Sequence, residues 1–118
     1  MMNNREKGSS YEQQAASFFR NLGYEILEQN YRRKTGEIDL IARDGRTIVF
    51  AEVKYRKRLS KGYPEEAVSA EKIRRIRRTA QWYLAEHRLP EQGTACRFDV
   101  VSILDQEIRH IRNAFGSF

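Results

Sequence analysis

Glu37, Asp39, Glu52 and Lys54 stand within a segment otherwise rich in Ile, Val, Leu, Phe and Ala. Acids two residues apart in an apolar run can hold a metal ion or move protons, provided the chain folds so that they meet. Residues 36–54 read as a β-hairpin turning at Asp44-Gly45, a dipeptide favoured in two-residue type I′ loops because both positions need φ > 0. That turn sets Arg43 opposite Arg46, Ile41 opposite Ile48, Asp39 opposite Phe50 and Glu37 opposite Glu52. Strand side chains alternate with period two, so Glu37, Asp39, Glu52 and Lys54 share one face. Asp39 and Glu52 become diagonal neighbours with Cα atoms about 7–8 Å apart, within reach of one cation. Carboxylate oxygens of this kind suit Mg²⁺ or Mn²⁺.

Acids gathered on one face of an apolar hairpin repel each other. A divalent cation, an ammonium group or raised pKa values relieves the repulsion, and Lys54 supplies an ammonium group. The plainer account is a solvated sheet edge with ordinary charges. Ile41, Ile48 and Phe50 fall on the acidic face as well, which predicts a surface covered near the turn and open at its acidic end.

The elements that must position these groups follow from periodicity. Ile38, Leu40, Val49, Ala51 and Val53 fill the other face, so the hairpin belongs inside a sheet covered on both sides. Residues 1–8 read as a disordered lead. Ser9 and Glu12 have capping-box spacing, and Tyr11, Ala15, Phe18, Phe19 and Leu22 form the apolar stripe of a helix that Gly23 ends. Glu12, at the border of that stripe, either caps with Ser9 or points toward the acids. Residues 24–31 read as a strand, with Arg32, Arg33 and Lys34 as a basic turn.

After Lys54 the chain loses its apolar pattern. Arg56, Lys57, Arg58 and Lys61 form a basic run bracketed by Tyr55 and Tyr63. Lys and Arg neutralise phosphates and tyrosine rings stack on unpaired bases; the same run is also an ordinary solvated loop. Ser69 then caps a helix over residues 70–87 whose buried stripe is Ile73, Ile76, Ala80, Tyr83 and Leu84. Lys72, Arg74, Arg75, Arg77 and Arg78 crowd its first half with only Glu71 among them, and Trp82 falls near Arg75 and Arg78, away from the stripe. A tryptophan beside arginines suits a nucleic-acid or subunit contact. Residues 97–104 and 107–112 form a closing hairpin. Asp99 is either an outer acid of the site or a partner of Arg97.

At 118 residues the chain makes one domain, over 9–118. Twenty-two Lys and Arg against 16 Asp and Glu leave a net charge of +6, which favours a polyanionic partner. No apolar run approaches the roughly 18–20 residues of a membrane span, and no secretory signal opens the chain. A single cysteine excludes an internal disulfide and a thiolate metal site. A cytoplasmic location, away from membranes, is the expectation.

The ordered pattern Gly-Glu-Ile-Asp-Leu-Ile, a short turn, then Phe-Ala-Glu-Val-Lys-Tyr-Arg resembles the PD-(D/E)XK nuclease superfamily. Within it the chain resembles the small bacterial YraN-like family, related to Holliday-junction resolvases. The likeness extends over Gly8, Glu12, Gly23-Tyr24, Asn30-Tyr31-Arg32, Gly62 with Pro64, Ala67-Val68, Arg97-Phe98-Asp99-Val100 and Ala114-Phe115. It implies a restriction-endonuclease-like α/β (α+β) domain, with a mixed central sheet flanked by helices in the order α-β-β-β-α-β-β. It also implies metal-dependent hydrolysis of phosphodiester bonds in branched or junction DNA, more than RNA. Asp39, Glu52 and the Val53 carbonyl would then ligate Mg²⁺ or Mn²⁺, Glu12 would add a carboxylate, and Lys54 would orient water or stabilise the transition state. Glu37 is an auxiliary acid in this scheme. Arg56, Lys57, Arg58, Lys61, Lys72, Arg74, Arg75 and Arg78 are the candidate nucleic-acid contacts. Related families often carry Thr or Ser where this chain has Tyr55. Cutting a two-fold junction requires two sites, which suits a homodimer. The rivals are a non-catalytic nucleic-acid-binding module of the same fold and a protein-interaction domain with a merely solvated basic surface.

Overall fold

Apolar residues on both faces of one strand call for a layer on each side, and the chain supplies two helices to do it. The computed structural model describes residues 4–57 and 68–116. The elements run α1 (Asn4–Asn21), β1 (Glu25–Arg33), β2 (Gly36–Asp44), β3 (Thr47–Arg56), α2 (Ala70–Glu86), β4 (Cys96–Leu104) and β5 (Glu107–Ile111). This is the mixed α+β single domain that the sequence predicts. The strands form one sheet in chain order with β3 at its centre. All neighbours are antiparallel except β3 and β4, which run parallel because α2 crosses between them.

Helix α1 lays Ala15, Ala16 and Phe19 on Leu40, Ala42, Val49, Ala51, Val101 and Ile103. On the opposite face, α2 packs Ile76, Ala80, Tyr83 and Leu84 against Ile41, Ile48, Phe50 and Phe98. Ser69 caps α2 as expected, its hydroxyl accepting from the Lys72 amide at 3.2 Å. Among the described residues, no helix is long and apolar enough to cross a membrane.

The structure revises several local expectations. Asp44 pairs with Thr47, so the hairpin loop is Gly45-Arg46 and not Asp44-Gly45. Gly45 has φ +61 while Arg46 does not enter the positive-φ region. This is the φ pattern of a type II′ turn, in which glycine comes first. The register therefore slips by two residues, which by itself keeps side chains on their expected faces, but Ile38, expected beside Leu40, packs on the α2 side with Tyr31 and Ile41. Helix α1 already runs at Asn4, inside the expected disordered lead, so Ser9 lies within the helix and is not its cap. Leu22 leaves the apolar stripe and is exposed, because α1 ends at Asn21. Arg32 and Arg33 continue β1, leaving only Lys34 and Thr35 as the turn, and β3 carries on past Lys54 to Arg56.

Asp99 proves to be a structural acid. It is fully buried, and its carboxylate accepts from Arg97 Nε at 2.9 Å, from the Asn113 amide at 2.9 Å and meets His110 Nε2 at 2.7 Å. Arg97 also donates to Asp44 at 3.0 Å and to the Tyr24 hydroxyl at 2.9 Å. Five separate segments are thus tied together on the α1 side of the sheet. Burial alone would push the Asp99 pKa up, but His110, Arg97 and the Asn113 amide outweigh it and hold the carboxyl below its ordinary value.

A depressed carboxylate stabilises the fold above the ordinary carboxylate range, and that contribution is lost as pH falls through the lower folded value. Asp99→Asn removes the buried counter-charge of Arg97 and leaves it only the partly exposed Asp44, at an expected cost of about 3 kcal/mol at pH 7. Urea unfolding followed from pH 7 to pH 2 checks this. The wild-type advantage shrinks below pH 4 and vanishes at the acid end; a constant difference would contradict the assignment.

Candidate metal centre

The site forms where the sheet forks. The β2–β3 ladder runs from Asp44 with Thr47 to Leu40 with Ala51 and stops there. Both strands go on: β2 stays paired with β1 as far as Gly36 with Arg33, and β3 stays paired with β4 as far as Arg56 with Leu104. Asp39 and Glu52 are the first residues past the last rung. The Val53 amide donates to Asp39 Oδ2 at 2.8 Å, a side chain standing in for the missing ladder partner.

Three carboxylates converge beside the fork. Ligand oxygens of Glu12, Glu37 and Asp39 all lie within 4.8 Å of one another. Glu12 comes from α1 and the other two from β2, so the site joins a helix to a strand. Burial first, then the charge of Glu52, pushes the Asp39 pKa well up, with Glu12 and Glu37 adding to it and the Val53 amide opposing. Burial also raises the pKa of Glu12, with smaller contributions from Glu37 and Glu52.

Glu52 takes a different place from the one expected. It shares the cleft with Asp39, but its carboxylate is turned to two lysines, Lys72 Nζ at 2.6 Å and Lys54 Nζ at 3.4 Å. Only 4% of the Glu52 side chain is exposed, so the two ammonium groups compensate a buried charge. Burial lowers the Lys54 pKa and the neighbouring Lys72 lowers it further. Burial is the largest influence on Lys72 and opposes its charge, but the bond to Glu52, the neighbouring Lys54 and the charges of Glu52 and Asp39 together outweigh it and raise that pKa. Lys72, expected at a nucleic-acid surface, is part of the acidic site. Nothing in the local sequence announces this, because the docking of α2 carries it there.

Gly36 makes that docking close. It has φ +148, and a Cβ there would stand 3.3 Å from both Arg75 Cβ and Thr79 Oγ1. The result is a cavity of about 340 Å³ between α2 and the forked strands, with Glu37, Asp39, Glu52, Lys72 and Arg75 in its wall.

The remaining expected residues are scattered. Arg56 ends β3 and is half-buried, Lys57 is exposed, and Arg74, Arg75 and Arg78 are exposed on α2. Arg58, Lys61 and Tyr63 lie outside the described residues. Tyr55 is no open stacking platform: its ring lies 3.6 Å from that of Tyr11, on the α1 side. Ser102, paired with Lys54 in the parallel ladder, is buried, with no partner for its hydroxyl among the described residues.

Confined carboxylates cost stability when nothing neutralises them. For a carboxyl with a raised folded pKa, stability falls as pH rises from the ordinary range toward the folded value. Asp39→Asn keeps an acceptor for the Val53 amide and removes the charge. In chelator at pH 7.5 it is expected to raise Tm by about 3–6 °C, the equivalent of about 1 kcal/mol for a domain of this size. Calorimetry reads this directly, and an unchanged or lower Tm would count against crowding of charge.

Comparison with known proteins places the chain. Residues 11–103 match the model of the uncharacterised protein family UPF0102. A UPF0102 protein of Lachnoclostridium phytofermentans is 50% identical over 117 residues, covering 99% of this chain and 98% of that one. One from Persephonella marina is 46% identical with 92% of each chain covered, and one from Caldicellulosiruptor saccharolyticus 43% identical with 97% and 100% covered. The match takes in the helix, the forked hairpin, α2 and β4 together, and the chain belongs to the uncharacterised protein family UPF0102.

Proposed function

We propose that the protein is a metal-dependent phosphodiesterase acting on DNA, with branched DNA as its substrate class. The observation that carries the reading is the convergence of the Glu12, Glu37 and Asp39 oxygens within 4.8 Å of one another, beside a lysine pair on Glu52.

The donor set fits a hard divalent ion. All the converging groups are carboxylate oxygens, which Mg²⁺ and Mn²⁺ prefer, and burial together with the neighbouring carboxylates raises the Asp39 and Glu12 pKa values. Asp39, Glu37 and Glu12 would hold the ion, with Glu52 available once it leaves its lysines. The Val53 carbonyl, one peptide from Glu52, is the further donor that the likeness to PD-(D/E)XK nucleases implies. When bound, the ion polarises a phosphoryl oxygen and acidifies water.

The chain's own groups do the rest. Lys54 is one-fifth exposed and keeps its Nζ beside Glu52. There it can donate to charge developing on a phosphate or orient water toward it. Its lowered pKa, set by burial and Lys72, eases proton transfer at Nζ. Lys72 balances Glu52 until a phosphate arrives, and its charge then serves the phosphate. The net charge of +6 supports a polyanionic substrate.

One observation favours the rival, a nucleic-acid-binding module without catalysis. Glu52 is already satisfied by two lysines, an arrangement that needs no ion to be stable. Incubation with Mn²⁺ and four-way-junction, flap or single-stranded DNA separates the two. Cleavage that falls by roughly 10²–10³-fold in Lys54→Ala and in Asp39→Asn supports the enzyme. Salt-sensitive binding with no cut on any substrate supports the module.

A further inference from the structure

Helix α2 carries a second feature that extends away from the cleft. Arg75, Arg78 and Trp82 stand at i, i+3 and i+7, within an arc of about 60° at 3.6 residues per turn, and all three are exposed. The buried side of the helix is Ile76, Thr79, Ala80, Tyr83 and Leu84. Trp82 is 47% exposed, one of two large apolar side chains left open among the described residues. Arg75 pairs with Glu71 at 2.5 Å. Arg78, and Arg74 on the flank of the row, meet no carboxylate among the described residues.

A guanidinium row in which Arg75 alone has a carboxylate partner, ending in an open indole, has a matching ligand chemistry. Phosphates neutralise the arginines, and a base with nothing stacked on it covers the indole. A duplex with both ends closed offers the phosphates but no free base face. We propose that this ridge binds single-stranded or branch-point DNA, with an unpaired base on Trp82 and the adjoining phosphates on Arg74, Arg75 and Arg78.

The ridge leads into the cleft, since Arg75 belongs to both. From Lys72 to Trp82 the helix advances about 15 Å at 1.5 Å per residue, about four steps of a B-form strand at 3.4 Å each. A cut about four nucleotides from the branch point follows, and this distance, unlike the binding face, rests on the phosphodiesterase reading.

Trp82 is the chain's sole tryptophan, so its emission reports the contact without a label. Titration in chelator with an oligothymidylate is expected to quench it saturably, and a hairpin-capped duplex of equal charge to quench it far less. By anisotropy with a labelled oligonucleotide, Trp82→Ala weakens binding about tenfold while Trp82→Phe keeps most of it. Arg78→Glu weakens binding at low salt and flattens its salt dependence. Equal quenching by capped duplex, or emission that changes with protein concentration and not with DNA, overturns the proposal; the latter assigns the ridge to a second copy of the chain. Quenching without cleavage on any substrate keeps the ridge and sinks the phosphodiesterase reading. Cleavage with Trp82 unaffected by DNA does the reverse.

Discussion

Repulsion between carboxylates that the fold will not let apart is the constraint on which this molecule turns. At an effective dielectric of about 20, two unit charges 4.8 Å apart repel by roughly 3 kcal/mol. Three such pairs would sum to roughly 10 kcal/mol, comparable to the whole stability of a small domain. Arg32, 3.3 Å from Glu37, offsets part of this, and the crowding that is left disfavours the charged forms of Asp39 and Glu12. Burial first, and the neighbouring carboxylates after it, raise the pKa values of Asp39 and Glu12. Burial of the surrounding core keeps the acids in place, because separating them would mean parting α1 from β2.

The fork makes the convergence possible. In an unbroken ladder β2 and β3 would stay about 4.8 Å apart, and an acid from the α1 layer could not come level with acids on the strand. Parting the strands past Leu40 and Ala51 opens the sheet while β1 and β4 stay paired with β2 and β3. On the far face, Asp99 with Arg97 and His110 fastens β4 to β5 and to the end of β2. One polar cluster is matched in charge and structural; the other crowds carboxylates together. The same residue types serve both, and partners decide which is which.

Much of this could be read in the sequence, for a simple reason. A strand repeats every two residues, so the grouping of Asp39, Glu52 and Lys54 on one face survived a turn assigned one residue early. The α2 cap at Ser69 and its buried stripe, apart from the half-buried Ile73, were equally plain, being local. What escaped depends on contacts between distant segments. Lys72 reaches Glu52 only because Gly36 lets α2 settle on β2. Tyr55 is covered by Tyr11, 44 positions earlier in numbering. The Ser9–Glu12 pair had the spacing of a helix start, but α1 propagates through it from Asn4, freeing Glu12 from a capping role and leaving it to the acids.

Parting two strands in mid-sheet also creates a pair of interior edges. Peptide groups that a neighbour would normally occupy face a gap there, as the Val53 amide does, and open edges are templates for an intruding strand. Inward-facing charge is a common guard against such intrusion. Glu37, Asp39, Glu52 and Lys54 line this gap, so the residues that crowd the cleft also keep foreign chains from zipping it shut. Conversion of several of them together to neutral, β-prone residues would remove the cleft's charges and the safeguard in one step, turning the gap into a seed for self-association.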